Sequence, residues 1–306
     1  MSEPRHSADP AQADAARGIA LMLLGILVFS LNDVMGKWLV STYSVGQVLL
    51  FRSLAALLVL LPFIGRPGAW RIFHGRPGLH ATRVVLSTAE VMLFYGAVVY
   101  LPLADAMTFW LAAPIYVAAL SPLLLGDRIG WRRWTAIAVG FAGVLVALQP
   151  SAATLTWPAG VALAGSVAFA FMMVTGRLLR DTPDIALIFW QTVGALAAGL
   201  VTAPFGWVTP SGRDLALLSL LGIVATGAHM CINRSLKLAS AATVTPFQYT
   251  LLLWALLFGY LVFGDVPRPS MLLGAAVIVA AGLFILFREA RRQRGVPSRP
   301  SAIEGL

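Results

Sequence analysis

The chain has 306 residues, of which 59% are hydrophobic and only 11% are charged, and its mean hydropathy is +0.83. Soluble domains are about half apolar and about a quarter charged, so this composition excludes a soluble globular protein and indicates a membrane protein. The single cysteine, Cys231, excludes an internal disulfide and a cysteine-based metal cluster, and we expect neither a metal site nor a cofactor.

The chain begins with a polar segment of mixed charge, which lacks the basic start and short apolar core of a signal peptide. We predict a disordered cytoplasmic tail over residues 1–16 and a second, basic cytoplasmic tail over 289–306. Between the tails, runs of roughly 20 mainly apolar residues predict ten transmembrane helices. They cover residues 17–39, 45–64, 83–101, 104–125, 133–149, 157–178, 185–204, 214–235, 240–263 and 270–288.

The basic residues indicate the orientation of these helices. With a cytoplasmic N-terminus, 18 of the 22 Lys and Arg residues lie in cytoplasmic segments, and the opposite loops hold only Arg213 and Arg268. The remaining two, Lys37 and Arg52, lie within predicted spans. Because cytoplasmic loops carry the excess of Lys and Arg, both tails are predicted to face the cytoplasm. The net charge of +9 then reflects topology, and no nucleic-acid partner is expected.

The two halves of the chain resemble each other. Stretches from Leu103 and from Leu238 both begin Leu-Ala, continue through an aromatic helix to Gly-Asp, and enter a span rich in Gly and Ala. The two Gly-Asp pairs are 138 residues apart. We predict two repeats of five helices, over residues 17–149 and 157–288. Since five is odd, the second repeat is inserted upside down, and inverted repeats are typical of secondary transporters with a site at their interface.

Four segments carry a resemblance to a known family: "LNDVMGKWLV" and "QVLLFRS" in the first two spans, "LPLADAMTFWLAAPIYVAALSPLLLGDRIGWRRWTAIAVGFAGV" after the third, and "PFQYTLLLWALLFGYLVFGD" near the end. Over residues 17–290 the chain resembles bacterial members of the drug/metabolite transporter superfamily with two EamA-type repeats. The resemblance implies a carrier in the bacterial inner membrane that moves a small molecule by alternating access. Known substrates in the family include amino acids, S-adenosylmethionine and drugs. Pro114 and Pro246 do not align at the repeat offset, so symmetric kinks are not predicted.

Charged residues inside the spans are candidate functional groups, because a charge near the bilayer centre costs about 2.5–3.5 kcal/mol and is placed inward, paired or beside water. Asp33 and Lys37 are four residues apart on one helix face, and we predict a structural ion pair or gate. A share in substrate binding and, for Lys37, anchoring at the lipid interface are the alternatives. Arg52 either joins this pair or binds a substrate carboxylate.

The repeat offset brings further polar residues together. Adding 138 to the number of Glu90 gives a position beside His229, and adding it to that of Arg52 gives one beside Gln191. Such positions meet near the two-fold axis, so we predict that they face a central cavity, where Glu90 or His229 binds an amino group or carries a proton. Interhelical hydrogen bonding and aromatic packing are the alternatives. The predicted substrate-binding residues are Glu90, Trp110, Arg52, His229, Trp190, Gln191, Gln248, Tyr249 and Phe94.

Other classes of protein fit the sequence less well. It has neither an H-E-x-x-H nor a G-x-S-x-G motif, so we do not expect an enzyme, and it has no P-loop for ATP-driven transport. A membrane scaffold or receptor without transport is the alternative from another class. We predict a secondary transporter that exports amino acids, with aromatic or bulky apolar side chains favoured, or related metabolites. The alternative substrate is S-adenosylmethionine or another cationic metabolite or drug, with Glu90 as its counter-charge.

Overall fold

The fold is built from α-helices. A computed structural model describes residues 10–64, 76–124, 126, 130–148, 156–179, 181–239 and 244–294, and no strand occurs within these ranges. The helices are α1 (Pro10–Val40), α2 (Val45–Ile64), α3 (Pro77–Val98), α4 (Leu103–Leu111), α5 (Ala113–Leu124), α6 (Trp131–Leu148), α7 (Trp157–Leu178), α8 (Asp184–Thr202), α9 (Gly212–Leu238), α10 (Thr250–Phe263) and α11 (Pro269–Arg294). A 3-10 helix, Thr245–Tyr249, precedes α10.

Among the described residues, seven helical segments are long and apolar enough to cross a membrane: Asp14–Val40, Val45–Phe63, Pro77–Val98, Leu103–Leu120, Trp157–Leu178, Ile185–Thr202 and Gly212–Ser235. Three further apolar helices are shorter: Trp134–Ala147, Phe247–Phe263 and Pro269–Ile285. The prediction of an all-α integral membrane protein is therefore confirmed. The three shorter helices coincide with the predicted fifth, ninth and tenth spans, and for these the crossing of the membrane stays a prediction.

Helix extends into both predicted tails. α1 begins at Pro10 and α11 continues to Arg294, so the prediction of a disordered tail over residues 1–16 is wrong for residues 10–16. The two extensions, "PAQADAA" and "EARRQR", consist largely of Ala, Gln, Glu and Arg, which have high helix propensity. An existing apolar helix extends into such residues without a new nucleation step. Residues 1–9 and 295–306 lie outside the described residues.

Two of the predicted spans are interrupted at matching points. α4 ends at Leu111 and α5 begins at Ala113, directly before Pro114, whose missing N–H and bulky ring disrupt the preceding turn. In the second half, the 3-10 helix gives way to α10 at Thr250, which corresponds to Ala112 at the repeat offset of 138. The interruptions are therefore equivalent in the two repeats, although their prolines are not aligned.

The helices pack in pairs that exchange under a two-fold rotation. α1 packs on α9 and α7 packs on α3, while α2 packs on α8 and α6 packs on α11. When the two repeats are exchanged, the pair α1–α9 becomes α7–α3, and each of the other two pairs maps onto itself. The packing thus has the two-fold pattern that a duplicated five-helix unit produces.

Corresponding helices run in opposite directions. Near the end of α1, the Lys37 ammonium donates to the carbonyl oxygen of Leu101, 3.2 Å away, in the connection after α3. The preceding residue, Tyr100, packs edge-on against Trp157 at the start of α7, with ring centroids 4.9 Å apart. α1 therefore ends on the side of the molecule where its counterpart α7 begins, as inverted repeats require.

Candidate functional site

Arg52 of α2 lies where four helices meet. Its Nη1 donates a hydrogen bond to the Tyr95 hydroxyl of α3 at 2.9 Å, and its guanidinium lies 5.4 Å from the centre of that ring. Gly222 of α9 packs so closely on the Arg52 backbone that a Cβ there would overlap the Arg52 carbonyl oxygen. Gly36 of α1 packs on the Tyr95 ring, since a Cβ there would lie 2.5 Å from Cε1. Small residues thus bring α1 and α9 against the Arg52–Tyr95 pair.

A second polar contact joins α3 to α4. The Trp110 indole Nε1 donates to the Glu90 carboxylate Oε1 at 2.7 Å. The Phe94 ring packs edge-on against the same indole, with centroids 5.2 Å apart and an interplanar angle of 81°. Gly165 of α7 leaves room for the indole, because a Cβ there would lie 2.6 Å from Cη2. Glu90 is therefore held beside two aromatic rings, and the Arg52 charge acts on it electrostatically.

A cavity of about 60 Å³ lies between α2, α8 and α9. Its wall includes three of the predicted binding residues, Arg52, Gln191 and His229. The His229 Nδ1 donates to the Ala225 carbonyl oxygen at 2.8 Å, so Nε2 is the acceptor of the neutral ring. A cavity of this size holds a few water molecules but not a metabolite in this conformation.

Asp33 of α1 is buried, with 3% of its surface exposed. Its Oδ2 has no hydrogen-bond partner among the described residues. Arg52 and Glu90 are close enough for their charges to act on this carboxyl group. We call Asp33, Arg52 and Glu90, together with Tyr95 and Trp110, the central cluster.

Lys37 does not pair with Asp33. Its ammonium instead lies 2.8 Å from the Asp265 carboxylate, in the connection between α10 and α11, and 4.6 Å from the centre of the Phe263 ring. The predicted ion pair within α1 is therefore wrong, while a role of either residue in binding or gating stays a prediction. A lysine near a helix end extends its ammonium toward the membrane surface. The Asp265 side chain lies there and is 24% exposed, whereas Asp33 is buried one turn back along the helix.

A second ion pair lies at the same end of the molecule. The Arg268 Nη2, in the connection after α10, is 2.9 Å from Oδ2 of Asp105 in the first turn of α4. Both residues line a cavity of about 320 Å³, and Leu101 lines it as well. We call Lys37–Asp265 and Asp105–Arg268 the outer ion pairs, because the distribution of basic residues predicts that this end faces outward.

Three predicted binding residues, Trp190, Gln248 and Tyr249, take no part in the contacts described so far. Trp190 packs edge-on against Phe189, with centroids 5.4 Å apart. Tyr249 packs against α11, where a Cβ at Gly282 would overlap its hydroxyl. Gln248 is half-buried on the 3-10 helix. None of the three is among the described residues that line the 60 Å³ cavity, and their part in binding stays a prediction.

The sequence did not predict the contacts of Asp105 and Asp265, and Tyr95 was considered among the aromatic residues but not included among the predicted binding residues, although the structure brings all three into these contacts. Asp265 carries a usable signal, because it belongs to the Gly-Asp pair that both repeats contain. Tyr95 and Asp105 carry no comparable signal. Their contacts with Arg52 and Arg268 span 43 and 163 residues of sequence, and only the packing of the helices reveals them.

Both halves of the chain match the EamA-like transporter family, over residues 16–149 and 156–287. The chain therefore belongs to this family, and it is a multi-pass membrane protein of a bacterial transporter family. The match confirms the predicted membership of the drug/metabolite transporter superfamily with two EamA repeats.

Two bacterial relatives are similar over most of their length. A protein of Rickettsia prowazekii named as an S-adenosylmethionine uptake transporter is 27% identical over 273 residues, which cover 89% of this chain and 93% of that protein. A protein of Rhizobium johnstonii named as a riboflavin transporter is 31% identical over 301 residues, which cover 96% of this chain and 98% of that protein. A crystal structure with 17% sequence identity has a TM-score of 0.60 and covers 94% of this chain and 99% of its own, which shows a shared fold.

Proposed function

We propose that the chain is a secondary transporter of the bacterial inner membrane, with both tails in the cytoplasm, and that it carries S-adenosylmethionine. The charge of the central cluster supports this substrate. Asp33 and Glu90 supply two carboxylates and Arg52 one guanidinium, which leaves a net charge of −1 when all three are ionised. S-adenosylmethionine carries a carboxylate, an ammonium and a sulfonium, so its surplus positive charge complements the cluster. The Rickettsia relative is named for uptake of the same compound.

The two-fold arrangement of the helices supplies a transport mechanism. Ligand pockets usually have volumes of about 300–1,000 Å³, so the 60 Å³ cavity must widen before a metabolite binds. Widening requires the helices of the two repeats to move apart on one side of the membrane at a time. The outer ion pairs each join the first repeat to the second, so opening at that end breaks them. We propose uptake as the direction, and the predicted export remains the alternative.

Riboflavin is a second candidate substrate. The relative named for riboflavin is 31% identical over nearly the whole chain, and the edge-on pair Phe94–Trp110 presents aromatic surface to a flat ring system. Export of aromatic or bulky apolar amino acids, which the sequence predicted, stays an untested prediction. Proton coupling through Glu90 or His229 also stays a prediction.

Counterflow in proteoliposomes tests the proposed substrate. Vesicles preloaded with unlabelled S-adenosylmethionine are expected to accumulate the labelled compound transiently and saturably, whereas vesicles preloaded with riboflavin or phenylalanine are not. Glu90→Gln should weaken the exchange about tenfold or more, because it removes one of the carboxylates that balance the cation. Asp14→Asn is the matched control, since Asp14 forms an exposed pair with Arg17 far from the cluster, and it should exchange at the wild-type rate.

Each other outcome of this experiment has a definite meaning. Exchange with riboflavin alone would favour the second candidate, and exchange with phenylalanine alone would favour the amino-acid transporter. The lack of saturable exchange with all three compounds would exclude each of them as the substrate. Equal rates in Glu90→Gln and the wild type would remove Glu90 from the binding site.

A further inference from the structure

Asp33 has an unmet demand for hydrogen-bond donors. Only 3% of its surface is exposed, and its Oδ2 has no partner among the described residues. A carboxylate removed from water is strongly disfavoured unless donors or a cation surround it. Ser30, about one turn earlier on α1, is 2% exposed, and its hydroxyl also lacks a partner in the described part of the chain. Lys37, about one turn later, donates to Asp265 instead. This face of α1 therefore presents buried polar atoms that a ligand with several donors would satisfy.

The same face of α1 adjoins the central cluster. Gly36 follows Asp33 by about one turn and packs on the Tyr95 ring, whose hydroxyl accepts the hydrogen bond from Arg52. The charges of Arg52 and Glu90 both act on Asp33. A ligand that binds in the central cluster is therefore brought next to the Asp33 carboxylate.

The two carboxylates of the cluster differ in what they need from a ligand. Glu90 already accepts the Trp110 N–H, and the rings of Trp110 and Phe94 lie beside it. A sulfonium has no N–H to donate and is attracted by negative charge and by aromatic rings, both of which are present at Glu90. An ammonium has three N–H donors and forms strong charge-assisted bonds with carboxylates, which is what Asp33 lacks.

We propose that Asp33 binds the ammonium group of the substrate, while Arg52 binds its carboxylate and Glu90 its sulfonium. This assignment rests on the proposed transport of S-adenosylmethionine and extends it, because each charge of the substrate receives its own partner. Asp33 thereby becomes a residue that determines specificity for the amine, rather than the structural partner of Lys37.

The assignment is tested by combining a protein variant that lacks the Asp33 charge with a substrate analogue that lacks the amine. Three unlabelled competitors act on the counterflow of labelled S-adenosylmethionine: the compound itself, its analogue with hydrogen in place of the α-amino group, and the neutral thioether S-adenosylhomocysteine. In the wild type, both analogues should compete about tenfold or more weakly than the parent, since each loses one charged contact. In Asp33→Asn, S-adenosylmethionine should compete as weakly as its deaminated analogue. The inhibition constant of the deaminated analogue should stay within about twofold of its value in the wild type, because this analogue has no ammonium for Asp33 to bind.

The sulfonium supplies an internal control. The preference for S-adenosylmethionine over S-adenosylhomocysteine should persist in Asp33→Asn and be lost in Glu90→Gln. Asp33→Glu retains the charge and should retain the preference for the amine at reduced affinity. Size-exclusion chromatography in detergent shows whether each variant is folded. If Asp33→Asn is not folded, the preference of Asp33→Glu for substrates with an amine tests the assignment instead.

Three results would overturn the assignment. If Asp33→Asn weakens competition by S-adenosylmethionine and by its deaminated analogue by the same factor, Asp33 does not contact the ammonium. If Asp33→Asn instead loses the preference over S-adenosylhomocysteine, Asp33 pairs with the sulfonium. If Asp33→Glu is the only folded variant and has no preference for the amine, the ammonium binds elsewhere. The lack of S-adenosylmethionine exchange in the wild type is a distinct result, because it refutes the proposed function and the assignment falls with it.

Discussion

The indole N–H of Trp110 positions the Glu90 carboxylate, because it donates the 2.7 Å bond while Gly165 confines the ring. Trp110→Phe keeps an aromatic ring and removes the donor. A hydrogen bond to a charged group contributes about 1.5–3 kcal/mol, so the apparent affinity for S-adenosylmethionine should fall about tenfold or more. The KM of counterflow measures this effect, and the maximal rate should change little if the bond serves binding alone.

Trp157→Phe is the matched control for this substitution. Trp157 is 62% exposed and packs on Tyr100 in the connection after α3, so the same change there should leave the KM within about twofold of the wild type. A similar rise of the KM in both variants would contradict a specific role of the Trp110 donor.

The sequence identifies polar residues within the apolar helices, but it does not predict their contact partners. Arg52 and Glu90 stand out because a charge in an apolar run is costly and is retained only where it is paired or functional. The i,i+4 spacing of Asp33 and Lys37 places them on one helix face but does not determine how deeply each is buried. Lys37 bonds Asp265, 228 residues away in sequence, and only the packed structure brings these two side chains together.

At the scale of elements, the outer ion pairs hold the two repeats together at one end. Each pair joins α1 or α4 of the first repeat to the connection between α10 and α11 of the second. The repeat offset of 138 places Thr175 at the position equivalent to Lys37, and Gly130 at the position equivalent to Arg268. Neither residue is charged, so neither position can supply the equivalent member of an ion pair. Opening at the outer end has to break both pairs.

Lys37→Gln should therefore shift the protein toward opening at the outer end. Phe109→Cys, with Cys231→Ser, reports this opening, because Phe109 is 7% exposed in the wall of the 320 Å³ cavity. The side chains of Lys37 and Asp265 are only 13% and 24% exposed, so water screens their hydrogen bond only partly. A hydrogen bond between charged groups contributes about 1.5–3 kcal/mol, and its loss should raise the rate at which maleimide labels the cysteine at position 109 about tenfold. Arg17→Gln breaks an exposed pair and should leave that rate unchanged. Equal labelling of Lys37→Gln and its parent would show that the pair does not hold the outer end closed.

Helix ends could be predicted where the apolar run and its flanking residues agree. The predicted span 157–178 has the bounds of α7, Trp157–Leu178, because a proline in its first turn and a basic residue in its last favour those ends. α3 begins at Pro77 rather than at the predicted residue 83, since proline is also favourable in a first helical turn. The break at Ala112 was not predicted, because a proline interrupts some helices and is accommodated in others, such as Pro62 inside α2.

At the scale of the whole molecule, the class, the repeat and the family could be predicted, because each depends on sums over many residues. Hydrophobic run lengths, loop charges and the Gly-Asp repeat tolerate errors at single positions. The proposed choice of substrate depends instead on the contacts of only three side chains, those of Asp33, Arg52 and Glu90. Relatives with names as different as S-adenosylmethionine uptake transporter and riboflavin transporter are similar to this chain over most of its length, so overall similarity does not decide between them.

The orientation of the whole molecule is testable at two matched glycines. Gly130, before α6, and Gly212, at the start of α9, are both exposed, and a Cβ at either would meet no atom within 4 Å. With Cys231→Ser, an impermeant maleimide should label Gly212→Cys in intact cells and Gly130→Cys only after permeabilisation, because the excess of Lys and Arg predicts a cytoplasmic Gly130. The reverse pattern would place the outer ion pairs on the cytoplasmic side.

Three helices, α6 to α8, separate the two positions, and α6 contains one of the short apolar segments. Labelling of both cysteines from one side would therefore show that one of these helices, with α6 the first candidate, does not cross the membrane, and the repeats would then not be inverted.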